Sequence, residues 1–298
     1  MKYLIKMMVF IGVINSLCIS LTHAEPYDLV AGSSSIGFRE NDKQNVNIGF
    51  KSAFNALLSS ENMKCDFQNY GTSEELAQAI SKGQVNAFFG SPIEFLRSEL
   101  YLMPTPLVSG VFSQKLKSKI ILVVRKDSDI NALEQLKGKK LSTQKTMLGD
   151  MGILYIDTLL MEHQLQLTKK FFSEIQVSEK SNTALVDLFF KKVDAALLSE
   201  SQFEIAAELN PQIRQKTRVL EASEPYLTFV AALTKGTPEQ AANSIKNSLL
   251  TVNNTTKGRN ILSLMKFDGF KEINISDLDD IRKLIEKNKQ LKEQQHVH

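Results

Sequence analysis

Residues able to do covalent or metal chemistry are few and far apart in this chain. The four histidines, His23, His163, His296 and His298, form no spaced ligand set, and two of them sit on the C-terminal tail. His-assisted hydrolysis has little to work with. There is no G-x-S-x-G, no P-loop and no H-E-x-x-H. What the sequence does offer is a set of hydroxyl- and amide-bearing helix starts. Thr72 stands three residues before Glu75, the spacing of a capping box. Ser91 precedes Pro92, an N-cap followed by proline at the first helical position. Asn182 precedes the apolar face Leu185, Leu188 and Phe189. The unpaired N–H groups of such starts, at the positive end of the helix dipole, hold an anion without a cationic side chain. Each such start serves equally well as a plain helix cap.

The elements that must position them alternate. Tyr27 to Ala31 predicts a strand running into Gly32-Ser33-Ser34-Ser35, and Phe50, Ala53, Phe54, Leu57 and Leu58 mark one buried helical face. Cys65 to Tyr70 predicts a strand, Leu76, Ala79 and Ile80 a helix stopped by Gly83, and Val85 to Phe89 a strand buried on both faces. Strand and helix alternate again from Ile120 through Leu198, and Leu227 to Leu233 adds a late strand. A last helix from about Ser276 carries Ile281, Leu284, Ile285 and Leu291 on one side, and is expected to pack on the outside of a lobe.

Met1 to Ala24 reads as an export signal. Lys2 and Lys6 precede an apolar run from Met7 to Ile14, and Thr22-His23-Ala24 predicts cleavage after Ala24. The run is interrupted by Asn15 and Ser16, too soon for the roughly 20 residues of a bilayer span. Leu17 is too large for the residue before a lipoprotein Cys18. Removing 24 of 298 residues leaves 274, enough for one large domain or two lobes. Loss of the two lysines takes the net charge from +3 to about +1, which points away from nucleic acid and anionic membranes. Cys65 would then be the sole thiol, with no disulfide framework, and reads as a small buried hydrophobe.

Four segments in register resemble a known family, the periplasmic phosphate, phosphite and phosphonate binding proteins of ABC transporters. They are Tyr70 to Leu76, Gly83 to Pro92, Leu133 to Lys140 and Lys192 to Ala196, and the likeness covers roughly residues 27 to 234. The resemblance implies an α/β, two-lobe type 2 periplasmic binding protein fold, each lobe a mostly parallel sheet flanked by helices, with two hinge crossings. Lobe 1 would hold residues 25–120 and 225–298, and lobe 2 residues 121–224; the crossings are expected near Lys119 to Arg125 and Val219 to Tyr226. The helix starts would face a shared cleft, with Ser35, Tyr70, Thr72, Ser91, Phe95, Thr146, Gly149, Ser181, Asn182 and Glu200 as ligand-binding positions. No cofactor, metal or catalysis is implied. The expected partners are a small anionic solute and an inner-membrane permease, for a monomer working in the periplasm.

The chain also departs from the family pattern. Thr146-Met147-Leu148-Gly149 replaces a hydroxyl-rich anion turn, Phe95 stands where a ligand-contacting tyrosine is common, and Ser181-Asn182 replaces His-Asp. Glu200 lies near where an acid can meet a ligand ammonium. These changes motivate an alternative from another class, a periplasmic sensor or interaction module with the same lobes, docking through Lys283, Lys287, Lys289 and Lys292.

Overall fold

The computed structural model describes residues 27–34, 43–58, 63–103, 108–144, 149–178, 183–265 and 267–296. The expected export signal lies outside the described residues, as do Ser35, Thr146, Ser181 and Asn182. No described helix is long and apolar enough to cross a membrane.

The chain begins with three strand-helix pairs: β1 (Leu29–Ser33) and α1 (Lys43–Leu58), β2 (Cys65–Asn69) and α2 (Ser73–Ser81), β3 (Ala87–Gly90) and α3 (Pro92–Ser98). β4 (Val108–Val111), β5 (Lys117–Ser118) and β6 (Ile120–Arg125) follow. A second series runs β7 (Lys140–Gln144), α4 (Gly149–Glu162), α5 (Thr168–Phe171), β8 (Glu174–Ser178), α6 (Thr183–Phe189), β9 (Ala195–Ser199), α7 (Glu200–Leu209), α8 (Gln212–Lys216) and β10 (Thr217–Ala222). The chain then returns through β11 (Tyr226–Leu227), β12 (Val230–Leu233), α9 (Glu239–Leu250), α10 (Thr256–Met265), β13 (Gly269–Glu272) and α11 (Asp279–His296).

These strands build one sheet per lobe, in the orders β13-β4-β12-β3-β1-β2 and β10-β6-β9-β7-β8. Both sheets are mixed, which corrects the expectation of mostly parallel ones. Within each, only the βαβ part is parallel: β1 with β2 and β3, and β7 with β8 and β9. The strands adjoining the crossings, β12 and β6, run antiparallel to β3 and β9. A chain that enters a sheet directly from the other lobe needs no crossover helix, so nothing forces its strand into the parallel direction.

The crossings themselves pair as a two-stranded ribbon, Tyr226 opposite Ser118 and Leu227 opposite Lys117. Residues 120–125 therefore belong to the second sheet, and the passage between lobes falls just before them. Ser118 Oγ meets Ser201 Oγ at 3.0 Å, and the N–H of Ile120 donates to Ser223 Oγ at 2.9 Å, so the ribbon is anchored to lobe 2.

Alternation along β1 to β3 explains the core. Leu29, Ala31, Cys65, Phe67, Ala87 and Phe89 face α1, where the Phe50 ring lies 4.9 Å from Phe67 and Phe54 lies 4.9 Å from Phe89. The opposite face, with Phe88, joins a second cluster that continues through Phe95 and Leu102 into Leu141, Met151, Tyr155 and Leu160 of lobe 2. α11 contributes Ile281 and Leu284 to this shared cluster. It packs along α4 and against α3, spanning the two lobes where the sequence suggested the outside of one. Arg282 donates to Glu99 beside α3 at 3.1 Å, Lys287 pairs with Glu162 of α4, and the buried Asn288 amide donates to Thr158 Oγ1 at 2.9 Å.

Cys65 is buried, as its sequence context suggested. Burial, the largest cause, pushes its thiol from 9.0 up to about 12, with the Ala31 backbone hydrogen bond pulling the other way. Because the folded value is the higher one, this group's contribution to stability is intact below pH 9.0 and is lost as pH rises toward about 12. Ellman's reagent is expected to leave the native thiol untouched at pH 8 and to modify it in denaturant. Stoichiometric labelling of the native protein would contradict that burial.

Candidate functional site

In an open α/β sheet the ligand crevice lies beyond the carboxyl ends of the strands, where the strand order reverses. In lobe 1 that point lies between β1 and β3, since β2 lies on one side of β1 and β3 on the other. In lobe 2 it lies between β7 and β9, flanked likewise by β8 on one side.

The lobe 1 switch point is rich in hydroxyls. Thr72 Oγ1 caps α2 by accepting from the N–H of Glu75 at 3.1 Å, and Glu75 reaches back to the N–H of Gly71 at 2.8 Å. Ser91 caps α3, accepting from the N–H of Glu94 at 3.3 Å, with Pro92 first in the helix. Sequence spacing anticipated both caps. It did not anticipate what lies between them.

The side chain of Glu94 folds back into the switch point and is 3% exposed. One carboxylate oxygen accepts from the hydroxyls of Ser34, just past β1, and Ser73, at the start of α2, the latter at 3.1 Å. The other accepts from the N–H and hydroxyl of Ser91 at 2.9 and 3.0 Å. Gly90 makes the room: a Cβ there would stand 2.9 Å from this carboxylate and 2.7 Å from the Phe88 ring. A buried carboxylate needs such donors, and each charged hydrogen bond is worth about 1.5–3 kcal/mol. The local signal for Glu94 was present as the S-x-x-E spacing after Ser91; Ser34 and Ser73 carried none.

The other expected positions divide. Phe95 is fully buried in the core, where its ring packs beside Phe88. Tyr70 is half-buried, and its hydroxyl donates to Gln68 at 2.9 Å. Gly149 is the first residue of α4. Glu200 begins α7, where Ser199 is the cap, and lies 3.6 Å from Lys115, which pairs more closely with Glu204 at 2.9 Å. Ser33 Oγ and Asn69 Oδ1, at the carboxyl ends of β1 and β2, have no hydrogen-bond partner among the described residues.

The two lobes meet at this end of the sheets. Asp150, in the first turn of α4, pairs with Arg97 of α3 at 3.8 Å. Desolvation raises the Asp150 carboxyl above its ordinary range; Arg97 opposes the rise, and Glu94 and Glu74 add to it. The side chain nevertheless keeps 62% exposure. Sequence reasoning missed Asp150 and Arg97, whose proximity depends on how the lobes face each other, and Glu94, whose cradle depends on the strand order within lobe 1. A groove of about 750 Å³ adjoins them, bounded by α3, α4 and α11 and lined by Ile93, Leu96, Leu154 and Ile285 among others. Among the described residues no group of three or more metal-ligating side chains occurs.

The arrangement suits reversible capture between facing helix starts. Comparison with known proteins gives the family: residues 40–278 match the family model described as the periplasmic substrate-binding protein of a phosphonate ABC transporter. No curated protein matches the sequence. Among solved structures, a Xanthomonas citri protein bound to chloride superposes with a TM-score of 0.67 at 13% identity, covering 90% of this chain and 99% of that one. PhnD1 from Prochlorococcus marinus, in complex with methylphosphonate, gives 0.64 at 13% identity over 87% and 97%. A binding-protein component of a phosphonate ABC transporter from Pseudomonas aeruginosa gives 0.63 at 13% over 90% and 88%. At these identities the likeness is one of fold.

Proposed function

The chain belongs to the family of periplasmic substrate-binding proteins of phosphonate ABC transporters, and from that premise we propose that it captures a small phosphonate-like oxyanion between its lobes and hands it to an inner-membrane permease. One observation carries the reading. The start of α4 in lobe 2 lies against α3 of lobe 1: Arg97, in the last turn of α3, pairs with Asp150, and Glu74 and Glu94, in the first turns of α2 and α3, act on the same carboxyl. Helix starts supply backbone donors and positive potential to an oxyanion, and hydroxyls add to them. Three or four charged hydrogen bonds, at about 1.5–3 kcal/mol each, reach the roughly −8 kcal/mol of micromolar binding.

The family is one of substrate-binding components and not of enzymes, and the proposed role needs no bond to break. Export through a cleaved leader fits this role and remains part of the proposal. Titration calorimetry of the mature chain against phosphate, phosphite, methylphosphonate and aminoethylphosphonate tests it. At least one is expected to give a saturable isotherm with one site. A folded sample silent toward all four would remove the oxyanion reading.

A further inference from the structure

We propose that Glu94 is a tethered competitor for the ligand: its carboxylate stands in for an oxyanion on the serine cradle of lobe 1, and an entering oxyanion must displace it. The inference rests on the reading of the cleft as an oxyanion site. Its basis is the geometry around that one side chain.

The cradle comes from three places in the chain. Ser34 follows β1, Ser73 opens α2 and Ser91 caps α3, and all three hydroxyls, with the N–H of Ser91, donate to the Glu94 carboxylate. Hydroxyls gathered from separate elements around one anionic group are what a bound oxyanion would need. Here the anion is part of the chain. A free oxyanion arriving while Glu94 is seated finds these donors engaged and meets a like charge in a site partly shielded from water. Asp150 across the gap already meets Glu94 and Glu74 as like charges and Arg97 as an opposite one.

Seating also has a structural component, because Glu94 closes the capping box of α3 with Ser91. Glutamine at this position keeps the length and the acceptor oxygen while removing the charge. Serine shortens the side chain and leaves the cradle open. Affinity for a free oxyanion is thus set by residue 94 and not by the serines alone.

Calorimetry with methylphosphonate and inorganic phosphate on the mature wild type, Glu94→Gln and Glu94→Ser tests this, with circular dichroism to verify folding. Asp150→Asn serves as a control that removes an acidic charge without touching the cradle. Glu94→Gln and Glu94→Ser are expected to bind at least tenfold more tightly than wild type, and Asp150→Asn to gain less. A wild type that binds as tightly as both Glu94 variants overturns the inference and leaves the oxyanion reading standing. Folded variants that bind neither ligand, alongside a silent wild type, overturn both. Variants that bind where the wild type is silent support the inference and remove the oxyanion as the natural solute. Should neither variant fold, a crystal structure of the wild type soaked in methylphosphonate decides. An oxyanion on Ser34, Ser73 and Ser91 with Glu94 swung away supports displacement. An oxyanion elsewhere in the cleft with Glu94 still seated overturns it.

Discussion

Ile281→Ala is expected to lower stability by about 2–5 kcal/mol, the cost of a buried isoleucine truncated in a core that cannot collapse around it. Ile281 is fully buried, in the cluster that joins Phe95 and Leu102 of lobe 1 to Met151, Tyr155 and Leu160 of lobe 2. A cavity there removes contacts that both lobes share. The loss is large beside the ~5–15 kcal/mol that holds an ordinary domain together. Urea unfolding of the mature chain would measure it as a lower midpoint. The position of α11 gives the experiment a second reading. If the helix merely lay on one lobe, the variant would unfold in two steps, with the untouched lobe keeping the wild-type midpoint. A single shifted transition is expected. A loss below about 1 kcal/mol would show that the contact does not bear on folding.

Gly258→Ala is the other large effect, and it acts through the backbone. Gly258 lies in the first turn of α10, and a Cβ there would stand 1.6 Å from the carbonyl oxygen and 2.6 Å from the carbonyl carbon of Val252. No rotamer change relieves a clash with a peptide group. The short 3₁₀ turn Val252–Asn254 or the start of α10 must shift, and α10 also packs on α1. Overpacking of a rigid site costs about 1–3 kcal/mol and can exceed that, and the severity of this clash places it at the upper end. At about 2–4 °C per kcal/mol for a protein of this size, the melting temperature should fall by about 6–12 °C. Calorimetric melting of the variant checks it; an unchanged melting temperature would mean that the turn yields freely.

Much of the fold was legible because it is written in short-range signals. The faces of α1 and α2, the buried strands β3 and β9, and the caps Thr72 and Ser91 each depend on residues within a turn or a strand of one another. The strand directions were less so. β6 and β12 have the same apolar makeup as the parallel strands beside them, and composition does not say from which end a strand enters its sheet. Phe95 shows the same limit at one residue. An aromatic side chain one helical turn past a cap fits a ligand wall or a core equally well in sequence, and its burial against Phe88 and the other lobe's cluster is a long-range outcome. Glu200 likewise lies 3.6 Å from Lys115, 85 residues earlier in number, a proximity of which the sequence gives no sign.

The sequence alone determined that this chain is an α/β protein with capped helix starts and a buried thiol at Cys65. Those properties follow from periodicity, cap spacing and side-chain type, all of which act locally. Tertiary structure decided what the helix starts face. Ser34 and Ser73 reach Glu94 across 60 and 21 residues of chain because β1 is sandwiched between β2 and β3, bringing three strand ends to one point. Strand order is a long-range outcome of packing, so the carboxylate that occupies the cradle became visible only once the sheet was formed.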